Sequence, residues 1–169
     1  MSNTFMLEAE FSWTGILAEP ARVWEEQLKL NRPNVSIETL CVWKNSNSLL
    51  IFKETDAPAL STVDSFSDLD GHKLARATGK KYKVYSISLN NLLIKCGTQK
   101  SIDYLLIDIE GSEYEVIKAF NFDEYTIKII TIEHNYTPHR ELIYSLLTSR
   151  GYKRKYEKIS AFDDWYVKT

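Results

Sequence analysis

The stretch Tyr104-Leu-Leu-Ile-Asp108-Ile-Glu110-Gly111-Ser-Glu113-Tyr-Glu-Val-Ile117 predicts how the rest of the chain is arranged. It begins with an unbroken apolar run, which is typical of a strand buried on both faces. From Ser112, a reasonable N-cap, the apolar residues recur at helical spacing. Asp108 and Glu110 therefore stand where a buried strand turns into a helix, and ligands bind at such strand ends in open α/β sheets. Residues two apart on a strand point the same way, so both carboxylates are expected to face one site.

The composition is that of a single globular domain covering residues 1–169, with 44% hydrophobic and 26% charged residues. The net charge of -2 argues against a general nucleic-acid binder, which carries a basic surplus. No apolar run reaches the roughly 18 residues of a membrane span, and the first residues do not read as a signal peptide. Cys41 and Cys96 lie far apart in the sequence and do not have the spacing of a metal site, so we expect both to be reduced thiols. We therefore expect a cytoplasmic protein without a nucleic-acid or membrane partner.

Strand and helix patterns alternate along the chain. Apolar runs and alternation predict strands at 15–20, 35–42, 49–52, 83–87 and 127–132. Helical spacing predicts helices at 4–10, 21–30 and 89–94, and one that begins at Pro138. The order of these elements predicts an α/β fold with a doubly wound, mainly parallel, Rossmann-like sheet. Residues 152–159 and 165–167 alternate as an antiparallel C-terminal hairpin would.

Two further stretches of the sequence are predicted to connect strands. The turn-forming residues 45–48 separate the strands at 35–42 and 49–52, which predicts a hairpin. Residues 54–80 are rich in Thr, Ser, Asp, Gly and Pro. A loop of this length inside a compact domain is usually functional or mobile.

Several stretches resemble one family, the FkbM-type methyltransferases. They are Gly15-Ile-Leu-Ala-Glu19-Pro20, the segments 102–113 and 129–136, Leu60-Ser61-Thr62 with Asp68-Leu-Asp70-Gly71-His72, and the closing Asp163-Asp164-Trp165-Tyr166. Five motifs in this order span nearly the whole chain. The resemblance implies a Rossmann-like fold and methyl transfer from S-adenosylmethionine, usually to a hydroxyl oxygen. The acceptor it implies is a small molecule or a glycan.

The resemblance also implies that the chain is truncated at its N-terminus. The family carries a first strand and a glycine-rich cofactor loop just upstream of a Ser-Asn-Thr like Ser2-Asn3-Thr4. This chain begins after that position, so we expect both parts to be missing. An alternative function is then a non-catalytic fragment or a domain that binds a ligand or partner. Loss of a strand would expose a sheet edge through which chains can pair into oligomers.

The resemblance implies a cofactor-binding role for four residues at strand ends, and for Asp108. Glu19, followed by Pro20, can accept the two hydroxyl hydrogen bonds of the cofactor ribose; the alternative is a surface acid. Cys41 and Val42 can flank the adenine with apolar surface, and the alternative for them is plain core.

The expected reaction centre combines the ends of two strands that should be neighbours in the sheet. It comprises Asp108, Glu110, Glu133 and His134, with His134 or Asp108 as the base that takes the acceptor's hydroxyl proton. Alternatively, Asp108, Glu133 and Asn135 hold Mg²⁺ or Ca²⁺ against the acceptor oxygen. The remaining alternative is a solvated acidic rim.

Two further possibilities stay open from the sequence. His72, in the irregular segment, covers the acceptor pocket, serves as the base or is an exposed loop residue. An acid-lined hydrolase or metal-binding domain that uses no cofactor is a third class of function, although no Gly-x-Ser-x-Gly, His-Glu-x-x-His or phosphate-loop motif supports it.

Overall fold

The computed structural model describes residues 4–169, so Ser2 and Asn3 of the Ser-Asn-Thr motif lie outside the described residues. Its helices are α1 (Phe5–Phe11), α2 (Glu25–Asn31), α3 (Leu89–Lys95), α4 (Glu113–Ala119) and α5 (His139–Ser149). Its strands are β1 (Ile16–Ala18), β2 (Ser36–Glu38), β3 (Cys41–Trp43), β4 (Leu49–Glu54), β5 (Thr62–Val63), β6 (Lys80–Ser88), β7 (Ser101–Ile107), β8 (Thr126–Glu133), β9 (Tyr152–Lys155) and β10 (Asp163–Lys168). Among the described helices, none has the length and apolar character needed to cross a membrane.

The strands of residues 4–169 form three sheets in a mixed α/β arrangement. β1 and β2 pair in parallel as a two-stranded sheet. A second sheet has the order β7-β8-β10-β9, with β7 and β8 parallel and β10 antiparallel to both of its neighbours. The third has the order β3-β6-β4-β5. The C-terminal antiparallel pair is therefore confirmed, whereas one continuous doubly wound sheet stays a prediction.

The main core lies between the second sheet and helices α4 and α5. Ile127, Ile130 and Ile132 of β8 are fully buried, and Ile117 and Leu147 of the two helices pack with them. The unbroken apolar runs of β7 and β8 thus form the centre of a covered parallel pair, as the sequence predicts. In the register of that pair Ile107 lies opposite Ile132. The residues that follow, including Asp108 and Glu133, consequently emerge at the same edge of the sheet.

The structure corrects the predicted hairpin between residues 35–42 and 49–52. The first of these strands is divided into β2, which pairs with β1, and β3, which pairs with β6. β4 also pairs with β6, so β6 separates β3 from β4. The turn between β3 and β4 forms hydrogen bonds with Ser86 of β6. The Ser86 carbonyl accepts the Asn47 N–H at 2.9 Å, and the Ser86 hydroxyl donates to the Asn45 carbonyl at 2.7 Å. Pairing with a strand about forty positions away therefore replaces the local hairpin.

Candidate functional site

Three carboxyl groups meet at the shared edge of β7 and β8. Asp108, Glu110 and Glu133 each place a carboxylate oxygen within 4.8 Å of the others. Asp108 is exposed, whereas Glu110 and Glu133 are each only 7% exposed. The prediction that these two strands are neighbours is confirmed by their parallel pairing. The pairing brings together carboxylates that are more than 20 positions apart in sequence.

The turn after β7 is held by side chains from both sides. Glu110 and Gly111 have φ angles of 62° and 115°, in the left-handed region. The carboxylate of Glu113 accepts hydrogen bonds from the backbone N–H groups of Ile109 and Gly111, at 3.0 Å each. The hydroxyl of Thr62 donates to the Glu110 carbonyl at 2.7 Å. Glu113 from α4 and Thr62 from the 54–80 segment therefore fix the direction in which Glu110 points.

Arg76 connects the irregular segment to the acid cluster. Its side chain is fully buried, and its Nη2 donates to Oε2 of Glu110 at 2.6 Å. The same guanidinium binds Asp70 through two further hydrogen bonds of 2.8 and 3.1 Å, and its Nε donates to the Leu60 carbonyl at 2.7 Å. Arg76 is not among the site residues predicted from the sequence, because a lone arginine in an irregular segment carries no periodic signal. Only its contact with Glu110, 34 positions away, reveals it.

The carboxyl groups of the cluster oppose each other's ionisation. Burial raises the pKa of Glu110 to about 7, with a further rise from the charge of Asp108 and a partial offset from Arg76. Burial and the charges of Asp108 and Glu110 hold the pKa of Glu133 well above its usual range. Oε2 of Glu133 is buried without a hydrogen-bond partner. The cluster is thus suited to hold a proton or a cation.

The end of β8 places His134 in a buried polar network. Its Nδ1 accepts the Tyr136 N–H at 3.0 Å, and its Nε2 lies 3.7 Å from Oδ1 of Asp164. Asp164 is in turn bound by two hydrogen bonds from Arg140, at 2.8 and 2.9 Å. The ring is only 1% exposed, and its burial lowers the pKa of His134. This setting suits a structural imidazole, and its role as a base stays a prediction.

The two other predicted site residues, Asn135 and His72, lie outside the strands and helices. Asn135 follows His134 with a φ of 42°, and its Nδ2 is buried without a partner. His72 is half-buried in the 54–80 segment, where its backbone N–H donates to Oδ1 of Asp70 at 2.8 Å. Because Asp70 binds Arg76, His72 belongs to the part of the loop that is anchored at Glu110.

Glu19 lies on the same side of the molecule as the acid cluster. It follows β1, and its Oε1 accepts the Ala21 N–H at 2.7 Å. Burial raises the pKa of Glu19 to about 6, and the charge of Asp108 contributes to the rise, so the two strand ends are close. Glu19 and Asp108 both line a cavity of about 1030 Å³, and Val42 lines it too.

Pro20 and Cys41 lie next to Glu19. Pro20 and Glu19 line a second, smaller cavity of about 190 Å³, together with Thr39 and Tyr85. Burial, followed by the charge of Glu19, raises the pKa of the Cys41 thiol to about 12, so the thiol is neutral and stays an apolar neighbour of the carboxylate. Of the residues expected to bind a cofactor, Pro20 and Cys41 thus lie beside Glu19, and Val42 shares the larger cavity with it.

Comparison with known protein families shows to which family the chain belongs. The family model of the methyltransferase FkbM domain matches residues 2–154 of the chain. The chain belongs to the FkbM methyltransferase family. Searches of curated proteins and of solved structures found no match. The predicted membership is therefore confirmed, and all ten site residues predicted from the sequence lie within the matched FkbM region.

Methyltransferases in general use S-adenosylmethionine, and the cofactor-binding role of Glu19 stays a prediction. Glu19 stands at a strand end beside a small cavity, where an acid can accept hydrogen bonds from ribose hydroxyls. A divalent cation fits a different part of the site. Three carboxylate oxygens within 4.8 Å are hard donors of the kind that Mg²⁺ and Ca²⁺ prefer, and the unpartnered Oε2 of Glu133 is one free donor.

Proposed function

We propose that this protein is an S-adenosylmethionine-dependent O-methyltransferase that acts on a hydroxyl group of a small molecule or sugar. The observation that carries the proposal is the position of Glu19 beside the acid cluster, with Glu19 and Asp108 lining one cavity. One carboxylate is available for the cofactor ribose and another for the acceptor's proton. In the proposed fold the β1–β2 sheet and the β7-β8-β10-β9 sheet are two parts of one doubly wound, Rossmann-like sheet.

Each residue of the site has a defined task in this proposal. S-adenosylmethionine, when bound, supplies the methyl group. Glu19 accepts hydrogen bonds from the ribose hydroxyls and so sets the position of the cofactor. Asp108, exposed at the mouth of the cavity, accepts the proton that the acceptor hydroxyl loses as its oxygen is methylated. Glu110 and Glu133 keep the proton affinity of the cluster high, and Arg76 keeps Glu110 in place.

A divalent cation is the second component that we propose for this site. Asp108 and Glu133 would hold Mg²⁺ or Ca²⁺, with Glu110 or the side chain of Asn135 completing the set. The chemistry it supplies is a lower pKa of the acceptor hydroxyl, which reduces the demand on a protein base. Binding of a cation also offsets the mutual repulsion of the three carboxylates.

The remaining parts of the proposal concern the surroundings of the protein. Cys41 and Cys96 are both free thiols, which favours a reducing compartment such as the cytoplasm. The net charge of -2 favours a small-molecule acceptor over a nucleic acid.

The proposal is tested with the 169-residue chain in two steps. Calorimetric titration with S-adenosylmethionine measures cofactor binding, and formation of S-adenosylhomocysteine over a panel of phenols, hydroxy acids and sugars measures transfer. Asp108→Asn should abolish transfer, whereas Asp123→Asn, an exposed carboxylate that does not line the cavity, should change neither transfer nor cofactor binding. Absence of cofactor binding overturns the proposal. Binding without transfer to any acceptor favours the alternative of a non-catalytic binding domain.

A further inference from the structure

Three acidic side chains form a row across the adjacent strands β7, β8 and β10. Glu133 lies directly opposite Asp163 in the antiparallel register of β8 and β10. In the parallel register of β7 and β8, Ile107 lies opposite Ile132, so the residues that follow them, Asp108 and Glu133, are neighbours too. Ile107 and Ile132 point into the main core, and successive side chains on a strand point to opposite faces. The acid row therefore lies on the face of the sheet that α4 and α5 do not cover.

Asp163 is the member of this row that no neighbouring group neutralises. Its half-buried carboxylate has neither a hydrogen-bond donor nor a cation as a partner among residues 4–169. The next residue, Asp164, points to the opposite face and binds both Arg140 and Arg154. Burial and the charges of two nearby carboxylates raise the pKa of Asp163. Like charges directly opposite each other destabilise a sheet, so the pairing of Asp163 with Glu133 does not serve stability.

The second acid of the row has a free oxygen. Glu133 is only 7% exposed, and its Oε2 is buried without a hydrogen-bond partner. A buried carboxylate oxygen of this kind is costly unless a group donates to it. A carboxylate offers about four lone-pair sites, so Glu133 can serve a donor beside Asp163 together with the divalent cation proposed beside Asp108. Asp163 and Glu133 thus offer two acceptors to one group placed between them.

Trp165 adds an aromatic surface to this pair of acids. It lies two residues after Asp163 on β10, so its side chain is on the same face and about 7 Å further along the strand. The residue is 38% exposed, and the ring of Tyr156 stands at 87° to the indole with centroids 6.3 Å apart. A cation binds favourably over an indole when it lies within about 6 Å of the ring centre. A cationic group held by Asp163 can therefore also contact the indole of Trp165.

We propose that the methyl acceptor carries an ammonium group, which binds between Asp163 and Glu133 and against the indole of Trp165. This inference rests on the proposed methyl transfer for the identity of its ligand. An ammonium has three donors and one positive charge, which suits two carboxylates and an aromatic face. It has no free lone pair, so the methyl group goes to the hydroxyl oxygen and not to the nitrogen.

The strand spacing also limits the size of the acceptor. Asp108, the proposed base, and Asp163 stand on strands separated by β8, which places them about 10 Å apart. A hydroxyl beside Asp108 and an ammonium beside Asp163 therefore lie at opposite ends of a frame as long as one ring with a short side chain. The class of acceptor that fits is a hydroxylated ring that bears an amine. A carboxylate or phosphate in place of the amine would be repelled by the acid row.

The test measures the binding of three probes that share a phenol and differ in charge: tyramine, p-ethylphenol and p-hydroxyphenylacetate. Proton–nitrogen NMR spectra of the 169-residue chain follow the indole N–H of Trp165, which Trp165→Phe identifies by removing its signal. Without cofactor and with EDTA present, tyramine should bind about tenfold more tightly than p-ethylphenol, and p-hydroxyphenylacetate should bind most weakly.

A matched pair of variants assigns this preference to one carboxylate. Asp163→Asn should reduce the preference for tyramine over p-ethylphenol to within about twofold, because the charge that attracts the ammonium is lost. The variant should remain folded, since it also removes a like charge opposite Glu133. Asp123→Asn, at an exposed position, should keep the full preference.

Two binding results overturn the proposal: equal affinity of the unaltered protein for tyramine and p-ethylphenol, and a preference for tyramine that persists in Asp163→Asn. Formation of S-adenosylhomocysteine with the same probes separates this inference from the proposed function. A preference for tyramine without transfer supports the ammonium site and counts against methyl transfer. Transfer to p-ethylphenol that is as efficient as transfer to tyramine supports methyl transfer and overturns the ammonium site.

Discussion

Nη2 of Arg76 lies 2.6 Å from Oε2 of Glu110, and both side chains are buried. The same guanidinium binds Asp70, so one cation is shared by two carboxylates. This pair is the point at which the long irregular segment is attached to the acid cluster. The segment 54–80, which the sequence predicts to be a functional or mobile loop, is consequently anchored at the end of β7 by the ion pair between Arg76 and Glu110.

Removal of the Arg76 guanidinium should destabilise the protein strongly. Arg76→Met leaves the buried Asp70 and Glu110 without their cation, which costs about 3–5 kcal/mol of the free energy of unfolding. Lys81→Met removes an ion pair with Asp64 whose lysine is 52% exposed, and should cost at most about 1 kcal/mol. Urea denaturation measures both variants. Equal losses in the two would mean that the Arg76 pair has no special role.

Glu19→Gln should weaken the binding of S-adenosylmethionine by about 10–100-fold, because a charged hydrogen-bond acceptor is worth about 1.5–3 kcal/mol. Glutamine is chosen because it retains the size of the side chain and an oxygen for the Ala21 N–H. Calorimetric titration measures the affinity, with Glu26→Gln on the exposed side of α2 as the control. An unchanged affinity would remove Glu19 from the cofactor site.

The stability of the protein should fall as the pH rises from about 4.5 to 7. The pKa of Glu110 is raised from 4.5 to about 7, and that of Glu19 to about 6. On raising the pH the unfolded chain therefore releases these protons first, and the free energy of unfolding decreases by up to about 1.4 kcal/mol per pH unit for each group. Denaturation with EDTA present measures the slope.

Glu133→Gln provides the matched variant for this pH dependence. Glutamine resembles the protonated carboxyl and does not titrate, so the raised pKa of Glu133 no longer contributes to the pH dependence. The curve of stability against pH should become flatter. Glu141→Gln, at an exposed position of α5, should leave the curve unchanged. A stability that increases with pH over this range would contradict the carboxylate repulsion.

Mg²⁺ or Ca²⁺ should raise the melting temperature at neutral pH. A cation that binds only the folded state stabilises it by about 2.7 kcal/mol at 100 times its dissociation constant. Glu133→Gln should reduce the shift by more than half, since it removes one of three carboxylates, whereas Asp103→Asn should not. A melting temperature that does not respond to either cation would indicate that the cluster shares a proton instead.

His134 should titrate below its ordinary pKa of 6.5. Burial lowers its pKa, and the Tyr136 N–H occupies Nδ1, which leaves the proton on Nε2 facing Asp164. Long-range proton–nitrogen NMR spectra should therefore show the Nε2–H tautomer at pH 7 with no titration near 6.5. Titration at 6.5 would instead describe an imidazole in contact with solvent and would favour its role as the base.

The local parts of the site could be predicted from the sequence. The apolar run before Asp108 identifies a buried strand, and the run before Glu133 identifies its parallel neighbour. The helix predicted at 89–94 is confirmed as α3, and the Ser88 hydroxyl caps its start by accepting the Asn91 N–H at 3.2 Å. These features depend on residues close in sequence. That β7 and β8 are neighbours follows from the rule that consecutive strands joined by a helix usually lie side by side.

Ser112 and the predicted hairpin show where local signals are insufficient. Ser112 does stand at the start of α4, but its side chain makes no capping bond, and the carboxylate of Glu113 binds the turn instead. The predicted hairpin was wrong because β6 supplies partners for both of its strands. A turn sequence permits a hairpin, and competition from a longer strand decides whether it forms.

The sequence by itself determined the element types of the central strands and helices, the family and the presence of acids at three strand ends. Apolar periodicity and turn chemistry act over a few residues, so they can be read directly from the chain. Only the tertiary structure decided that Arg76 meets Glu110, that Cys41 stands beside Glu19 and that Glu19 and Asp108 line one cavity. These relationships depend on which edges pair and which charges are buried together, and that is a property of the whole packed arrangement.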